Sequence, residues 1–170
     1  SFITLPTGAG KSLTFWARAA ANKRSTTIGS ALMIRRVVLV LLPVRGLLQQ
    51  MLDQSKRFGL QATTVARLKS DPCPDIIFAL PEHVSGTLRW WDAMCIDSVF
   101  VDEFHLHISW CGFRPAMMQA LHTVLEWDCP AFLLSATFPP ANEGEVKRFL
   151  GLPDAHVIRA ATIQPAVHLQ

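Results

Sequence analysis

The sequence predicts a three-layer α/β/α domain with a mainly parallel central sheet. Short apolar runs of strand length alternate with longer amphipathic stretches, which is typical of parallel strands joined by crossover helices. Half of the 170 residues are hydrophobic and only 17% are charged, as expected for a sheet that is buried on both faces. This length favours one compact domain.

The individual elements follow from the order of these runs. We predict strands at residues 2–5, 37–43, 63–66, 76–80, 98–101 and 131–134, and a last strand at the start of the segment from residue 156 onward. We predict helices at residues 11–21, 44–58, 115–127 and 143–150, and a further helix that begins near Pro81. Glycines at 59 and 151 end two of these helices. The polar stretch 22–30 is predicted to be a surface loop.

Composition narrows the class of protein. The longest apolar run, residues 37–42, is far too short to span a membrane, so we expect no membrane partner. Cys73, Cys95, Cys111 and Cys129 lack the close pairing of a zinc site and indicate reduced thiols in an intracellular protein. No signal peptide can be read, and we expect the natural start to lie upstream. The net charge of +3 permits a nucleic-acid partner without requiring one.

The segment LPTGAGKS at residues 5–12 has the pattern of a phosphate-binding loop. Its glycines let the backbone turn sharply and direct N–H groups at phosphate oxygens, at the start of the next helix. Lys11 supplies a positive charge for the phosphates, and the Ser12 hydroxyl is a candidate ligand for Mg²⁺. Leu5 stands at the usual position of a first glycine. A chance glycine turn that starts a helix is therefore the alternative interpretation.

The segment SVFVDEFH supplies the carboxylates that nucleotide hydrolysis requires. Asp102 follows an apolar strand and would lie at the carboxyl edge of the sheet, so it is the second candidate Mg²⁺ ligand. Glu103 is the candidate for polarising the attacking water, and His105 is close enough along the chain to sense the terminal phosphate. The alternative is an acidic pair that caps a helix after the strand.

Taken in order, these segments resemble the motifs of a superfamily-2 helicase, in its first RecA-like P-loop NTPase domain. LPTGAGKS resembles motif I, which needs no glycine at the position of Leu5, and DEFH resembles motif II. LSATF resembles motif III, which implies that Ser135, Ala136 and Thr137 couple hydrolysis to movement on the strand. The resemblance to motif I implies an ATP-binding set formed by Pro6, Thr7, Gly8, Ala9, Gly10, Lys11 and Ser12.

Within this superfamily the chain is most similar to the RecQ-like DNA helicases. LLPVRGLLQQMLDQ resembles their motif Ia, FALPEHV their motif Ib region, and WCGFRP their aromatic-rich loop. Aromatic faces can stack on unpaired bases, and an arginine can meet a phosphate. The resemblance implies that DNA is contacted by Pro43, Arg45, Trp110, Phe113 and Arg114. Without the neighbouring motif II, a core aromatic pair would be the simpler interpretation of that loop.

The resemblance implies an ATP-dependent DNA helicase that uses ATP and Mg²⁺ and acts on single-stranded or partly duplex DNA, in an intracellular and nuclear setting. It implies a motor domain at residues 1–155 and, at 156–170, a linker to a second RecA-like domain whose arginine completes the ATP site. Two alternatives stay open: a nucleic-acid-binding remnant without ATP turnover, and an RNA helicase motor domain. Phe104 departs from the family, because motif II normally has a small residue there. Its ring could shift Glu103 or pack beneath it.

Overall fold

The structure is a computed structural model that describes residues 1–6, 8–27, 36–68, 74–85, 95–110 and 112–160. Its strands are β1 (Phe2–Thr4), β2 (Arg36–Leu41), β3 (Ala62–Thr64), β4 (Ile76–Ala79), β5 (Cys95–Val101), β6 (Ala131–Ser135) and β7 (Val157–Arg159). Its helices are α1 (Leu13–Thr27), α2 (Leu47–Arg57), α3 (Pro81–Ser85), α4 (Phe104–Ser109), α5 (Pro115–Leu125) and α6 (Glu143–Phe149). Single 3₁₀ turns occur at Val65–Arg67 and Pro140–Asn142.

The seven strands form one sheet in the order β3-β4-β2-β5-β6-β1-β7, and every pairing is parallel. The last residues of neighbouring strands are in register: Leu41 pairs with Val101, and Thr4 pairs with Ser135. Because all strands run the same way, the segments that follow β1, β5 and β6 meet at one edge of the sheet. The segments that follow β2 and β4 continue the same edge on the other side of β5.

The core lies on both faces of this sheet, as the composition predicts. Alternate residues of β2 belong to different layers: Leu39 and Leu41 pack with α5 on one face, and Val38 and Val40 pack with α1 and α2 on the other. All four side chains are fully buried. The predicted three-layer fold with a parallel sheet is therefore confirmed.

One predicted loop was wrong. The helix α1 begins at Leu13 and continues to Thr27, although residues 22–27 were predicted as surface loop; residues 28–30 of that prediction lie outside the described part. Tertiary contacts explain the extension, because Lys23 donates a 2.6 Å hydrogen bond to the Gly59 carbonyl and lies 3.5 Å from the buried carboxylate of Asp75. Asn22, next to it in the chain, is buried. The polar sequence of residues 22–27 gave no indication of these tertiary contacts.

Two smaller differences concern the end of β3 and the segment after β5. The strand predicted at 63–66 ends at Thr64 and turns into the 3₁₀ turn, because only Ala62–Thr64 pairs with β4. The six-residue helix α4 was expected only in the alternative interpretation of the acidic pair, since it is too short to show a helical period, and no side-chain hydrogen bond caps it. The segment from residue 156 begins as a strand, as predicted: β7 pairs with β1 as the edge strand of the same sheet. In the described part of the chain, no helix is long and apolar enough to cross a membrane.

Candidate functional site

The loop between β1 and α1 turns on two glycines. Gly8 and Gly10 have φ angles of +80° and +84°, which residues with a Cβ rarely adopt. A Cβ added to Gly10 would also lie 3.0 Å from Leu13 Cδ1. Leu5 continues the line of β1, since its N–H donates to the Ser135 carbonyl at 3.2 Å. The loop therefore has a real requirement for glycine, and Leu5 belongs to the strand that precedes it.

Around this loop, Pro6, Ala9 and Ser12 occupy the turn that leads into α1, and Thr7 lies outside the described residues. The Lys11 ammonium lies 3.4 Å from the Leu5 carbonyl and 3.7 Å from Glu103 Oε1. Only 10% of the Lys11 side chain is exposed. The positive charge of the loop is thus directed at the segment that follows β5.

Asp102, the first residue after β5, is buried at this edge. Its N–H donates to the Leu41 carbonyl at 2.9 Å, which extends the line of β5 by one residue. Burial, reinforced by the negative charge of Glu103 and opposed by Lys11, raises the pKa of the Asp102 carboxyl to about 6. A buried carboxylate with this environment is stabilised by a cation placed beside it.

Glu103 connects the two segments. Its backbone is left-handed, with φ 46° and ψ 50°. Its carboxylate lies 3.7 Å from Lys11 Nζ, 3.4 Å from His105 Nδ1 and 3.4 Å from the N–H of Ala136. The structure therefore brings Lys11 of the glycine loop together with Glu103 and His105 of the segment after β5, as predicted from the two motifs.

His105 links the carboxylates to the segment after β6. Its Nδ1 is 2.9 Å from Ser135 Oγ and its Nε2 is 3.4 Å from Thr137 Oγ1. The Thr137 N–H also donates to Ser135 Oγ at 3.1 Å. Burial lowers the pKa of His105, Glu103 opposes that effect, and Lys11 adds to it. A neutral imidazole can accept or donate hydrogen bonds to both hydroxyls, so the three predicted motifs form one connected set.

The ring of Phe104 does not enter this site. It is fully buried and makes edge contacts with Phe2 and Phe138, at centroid distances of 5.4 and 5.1 Å. The sequence left open whether the ring shifts Glu103 or packs under it; the structure shows the ring in the core, against Phe2 and Phe138. Phe104, which departs from the family pattern, is therefore part of the hydrophobic core.

The residues of this edge fit Mg²⁺ only together with a phosphate ligand. Among the described residues, no group of three or more His, Cys, Asp or Glu side chains could hold a metal ion by itself. Mg²⁺ in nucleotide sites typically binds one or two protein oxygens and completes its shell with phosphate oxygens and water. Ser12 and Asp102 are the oxygen donors that would hold it here.

The aromatic segment after α4 differs from this site, because it presents ring surfaces rather than ionisable groups. Trp110 is half-buried at the end of α4, and the Phe113 side chain is 72% exposed. Their rings are tilted by 45° with centroids 5.6 Å apart. Residue 111 lies outside the described part. An exposed ring beside a second ring is a surface on which an unpaired base can stack.

Arg114 is bound to the protein itself. It donates hydrogen bonds of 2.7 and 2.9 Å to the two carboxylate oxygens of Glu82 in α3, and another to the Pro43 carbonyl. This pairing holds the pKa of Glu82 below its usual range. Arg45 is exposed. Burial lowers the pKa of His83, next to Glu82; the charge of Glu82 opposes this effect and the charge of Arg45 adds to it. The residues predicted to contact DNA come from two segments, and Arg114 joins these segments through its hydrogen bond to the Pro43 carbonyl.

Sequence reasoning missed two residues of this region. Glu82 was matched to a motif but given no role, although its charge is the natural partner of Arg114. His107 is fully buried in α4, and neither ring nitrogen has a partner in hydrogen-bonding geometry. Burial, together with the charges of Arg114 and His105, lowers the pKa of His107 to about 4, against the opposing effect of the Glu103 carbonyl. No sequence pattern pointed to it.

Comparison with known families agrees with this geometry. Residues 1–146 match the family model described as DEAD/DEAH box helicase. The match spans the glycine loop, the acidic pair, the aromatic segment and the Ser135–Thr137 turn.

Proposed function

Because the chain belongs to the DEAD/DEAH box helicase family, whose members are ATP-dependent motors that act on nucleic acid, we propose that it is the first motor domain of a RecQ-like DNA helicase. In this proposal ATP hydrolysis drives translocation along single-stranded DNA and unwinding of duplex DNA. A second RecA-like domain completes the site by supplying an arginine to the transferred phosphoryl group.

The connected set of Lys11, Glu103, His105 and Ser135 is the observation that carries the catalytic part of the proposal. Lys11, bound weakly to a carbonyl and a carboxylate, would turn to the β and γ phosphates. Glu103 would then be free to orient and polarise the attacking water. Mg²⁺, when bound, would supply charge neutralisation for the phosphates. Ser12 and Asp102 would hold that ion in place.

His105 extends the proposal from hydrolysis to movement. It hydrogen-bonds both Ser135 and Thr137, while Glu103 lies 3.4 Å from the N–H of Ala136. A shift of Glu103 after hydrolysis would therefore change the contacts of the segment that follows β6. Such a shared hydrogen-bond network is a physical route for coupling between the two segments.

The aromatic segment supports the choice of DNA within the RecQ-like group. Phe113 is exposed beside Trp110, and Arg45 is exposed near the Arg114–Glu82 pair. Stacking and positive charge together are the usual means of gripping single strands. In this proposal Phe113 and Trp110 stack on bases, while Pro43, Arg45 and Arg114 border the path of the backbone.

The test is ATP hydrolysis by the chain joined to a second RecA-like domain, with single-stranded DNA or RNA of equal length. We expect DNA to stimulate hydrolysis more than RNA, and Lys11→Ala to abolish the stimulated rate. Equal rates for Lys11→Ala and the parent protein would reject the motor. Stronger stimulation by RNA would favour the RNA helicase alternative. Calorimetry with Mg²⁺ and ATP addresses the remnant alternative, because a remnant without turnover would show no Mg²⁺-dependent affinity.

A further inference from the structure

The backbone of Glu103 and the ring that follows it point to a role for Phe104. We propose that Phe104 is a positioning residue, whose buried ring keeps Glu103 in the left-handed conformation that directs its carboxylate toward Lys11 and His105. The inference rests on the proposed function, because it concerns the residue that would orient the attacking water.

Glu103 occupies a conformation that its side chain disfavours. Among the residues that the structure describes, it is the only non-glycine with a positive φ angle. The left-handed region brings the Cβ of an L-residue close to the following carbonyl oxygen, so it persists only where the surroundings impose it. No side-chain hydrogen bond caps α4 at this position. The Glu103 N–H donates to Asp102 Oδ1 at 3.1 Å, so the constraint includes the residues on either side of Glu103.

Both sides of Glu103 are anchored. On one side the Asp102 N–H is fixed to the Leu41 carbonyl at 2.9 Å. On the other side Phe104 is fully buried and makes edge contacts with two rings, Phe2 and Phe138. These two rings also stack on each other, with centroids 5.6 Å apart and an angle of 21° between their planes. The first residue of α4 is therefore fixed by a three-ring cluster, and the turn at Glu103 has to span two fixed points.

The same cluster touches every segment of the site. Phe2 lies in β1, which delivers the glycine loop, and Phe138 follows Thr137 directly. Arg159 of β7 donates a 2.5 Å hydrogen bond to the Phe138 carbonyl, and its guanidinium lies 5.8 Å from the Phe138 ring centroid. Phe104 thus fixes Glu103 relative to the loop before the site and the turn after it. A small residue at position 104 could not make these ring contacts.

The positioning role can be tested by thermal unfolding of the chain itself, without hydrolysis. Glu103→Gly and Glu103→Ala both remove the carboxylate, so their difference in Tm reports on the backbone conformation at this position. In the left-handed region we expect the glycine variant to melt about 2–4 °C above the alanine variant. In the Phe104→Ala background the turn is free to relax, and we expect this difference to fall to less than half. A difference that stays at half or more would overturn the proposal.

The control background is Phe78→Ala. Phe78 is also fully buried, but it lies in β4 and packs on the opposite face of the sheet. We expect the full difference between the glycine and alanine variants there, because general loss of packing leaves the turn fixed; loss of the difference in this background too would contradict the proposal. If Phe104→Ala lacks a cooperative transition, Phe104→Val replaces it under the same criterion.

Hydrolysis provides the second readout. At saturating ATP we expect Phe104→Ala to lower the rate by about tenfold or more, because a small misplacement of a catalytic group is costly, with less than about a threefold change in KM for ATP. Phe78→Ala should leave both values near those of the parent. A larger change in KM than in rate, or no change in rate, would contradict the positioning role. Absence of hydrolysis in the parent protein would instead count against the proposed function, while the unfolding comparison would still decide the role of Phe104.

Discussion

The two halves of the carboxyl edge of the sheet are built differently. At the ends of β5, β6 and β1, the ionisable groups meet at long distances: Lys11 and Glu103 are 3.7 Å apart, and Glu103 and His105 are 3.4 Å apart. At the ends of β2 and β4, Arg114 and Glu82 form a bidentate pair with bonds of 2.7 and 2.9 Å. In the first half, Lys11, Glu103 and His105 are close but not tightly paired, so their side chains can turn to bind a ligand. The second half already has its strong pair and offers an exposed ring beside it.

The largest expected effect comes from a substitution in the first half, at Glu103. Glu103→Gln removes the charge that would polarise water but keeps the size of the side chain. We expect the hydrolysis rate to fall by about 10²–10⁴-fold, the usual contribution of a positioned acid or base, with nucleotide affinity nearly unchanged. Rates at saturating ATP, measured beside a fluorescent-nucleotide titration, check both expectations.

Glu145→Gln is the matched control for this change. Glu145 is exposed on α6, and its substitution removes one negative charge away from the site. We expect it to behave as the parent protein. If the Glu103→Gln variant hydrolyses ATP at the parent rate, Glu103 does not take part in the chemical step. Its contacts with Lys11 and His105 would then have no catalytic role.

The next effect concerns α4, which connects the two halves and buries His107 between them. The folded pKa of His107 is lowered to about 4, mainly by burial, whereas the ordinary value is 6.5. The unfolded chain therefore binds the proton more readily, and stability is lost as pH falls from about 6.5 to about 4, by about 3 kcal/mol in total. We expect His107→Leu to remove this loss. Urea unfolding at several pH values between 7 and 4 measures it.

Asp102 acts in the opposite direction over part of this range. Its pKa is raised to about 6 in the fold, so its protonation favours the folded state as pH falls below 6. Because this contribution is present in both proteins, the difference between parent and His107→Leu isolates the histidine. Parallel stability curves for the two proteins would show that His107 is not buried in its neutral form.

A smaller effect is expected from a substitution in the aromatic segment, which tests whether the second half binds single-stranded DNA. Phe113→Ala removes an exposed ring, so we expect no change in Tm. If the ring stacks on a base, affinity for single-stranded DNA should fall by about 5- to 100-fold, since stacking contributes about 1–3 kcal/mol per base. Fluorescence anisotropy with a labelled oligonucleotide measures the change. Phe149→Ala, which removes another exposed ring on α6, should leave affinity unaltered, and an equal loss in both variants would argue against a specific stack.

The same contrast explains what the sequence could predict. Parallel topology places the residues that follow β1, β5 and β6 at one edge, so Lys11, Asp102 and Ser135 could be expected to lie in adjacent segments. The long extension of α1 could not be predicted, because it depends on contacts such as those of Lys23 with the Gly59 carbonyl and the Asp75 carboxylate, which form between distant elements. The pairing of Arg114 with Glu82 was hidden for the same reason. His107 gave no signal, since a buried neutral histidine has no pattern in sequence.

The smallest expected effect decides how Arg114 is used. Its pair with Glu82 is partly exposed, so replacing Glu82 by glutamine should lower stability by no more than about 1 kcal/mol. If Arg114 can leave Glu82 for a phosphate, Glu82→Gln should strengthen binding of single-stranded DNA by up to about fivefold at low salt. The salt dependence should also steepen by about 0.7 in the log–log slope, which corresponds to one further phosphate contact. Glu145→Gln controls for net charge. An unchanged slope would mean that Arg114 stays bound to the Pro43 carbonyl and clamps the segments after β2 and β4 together, and that stacking and other cations hold the strand.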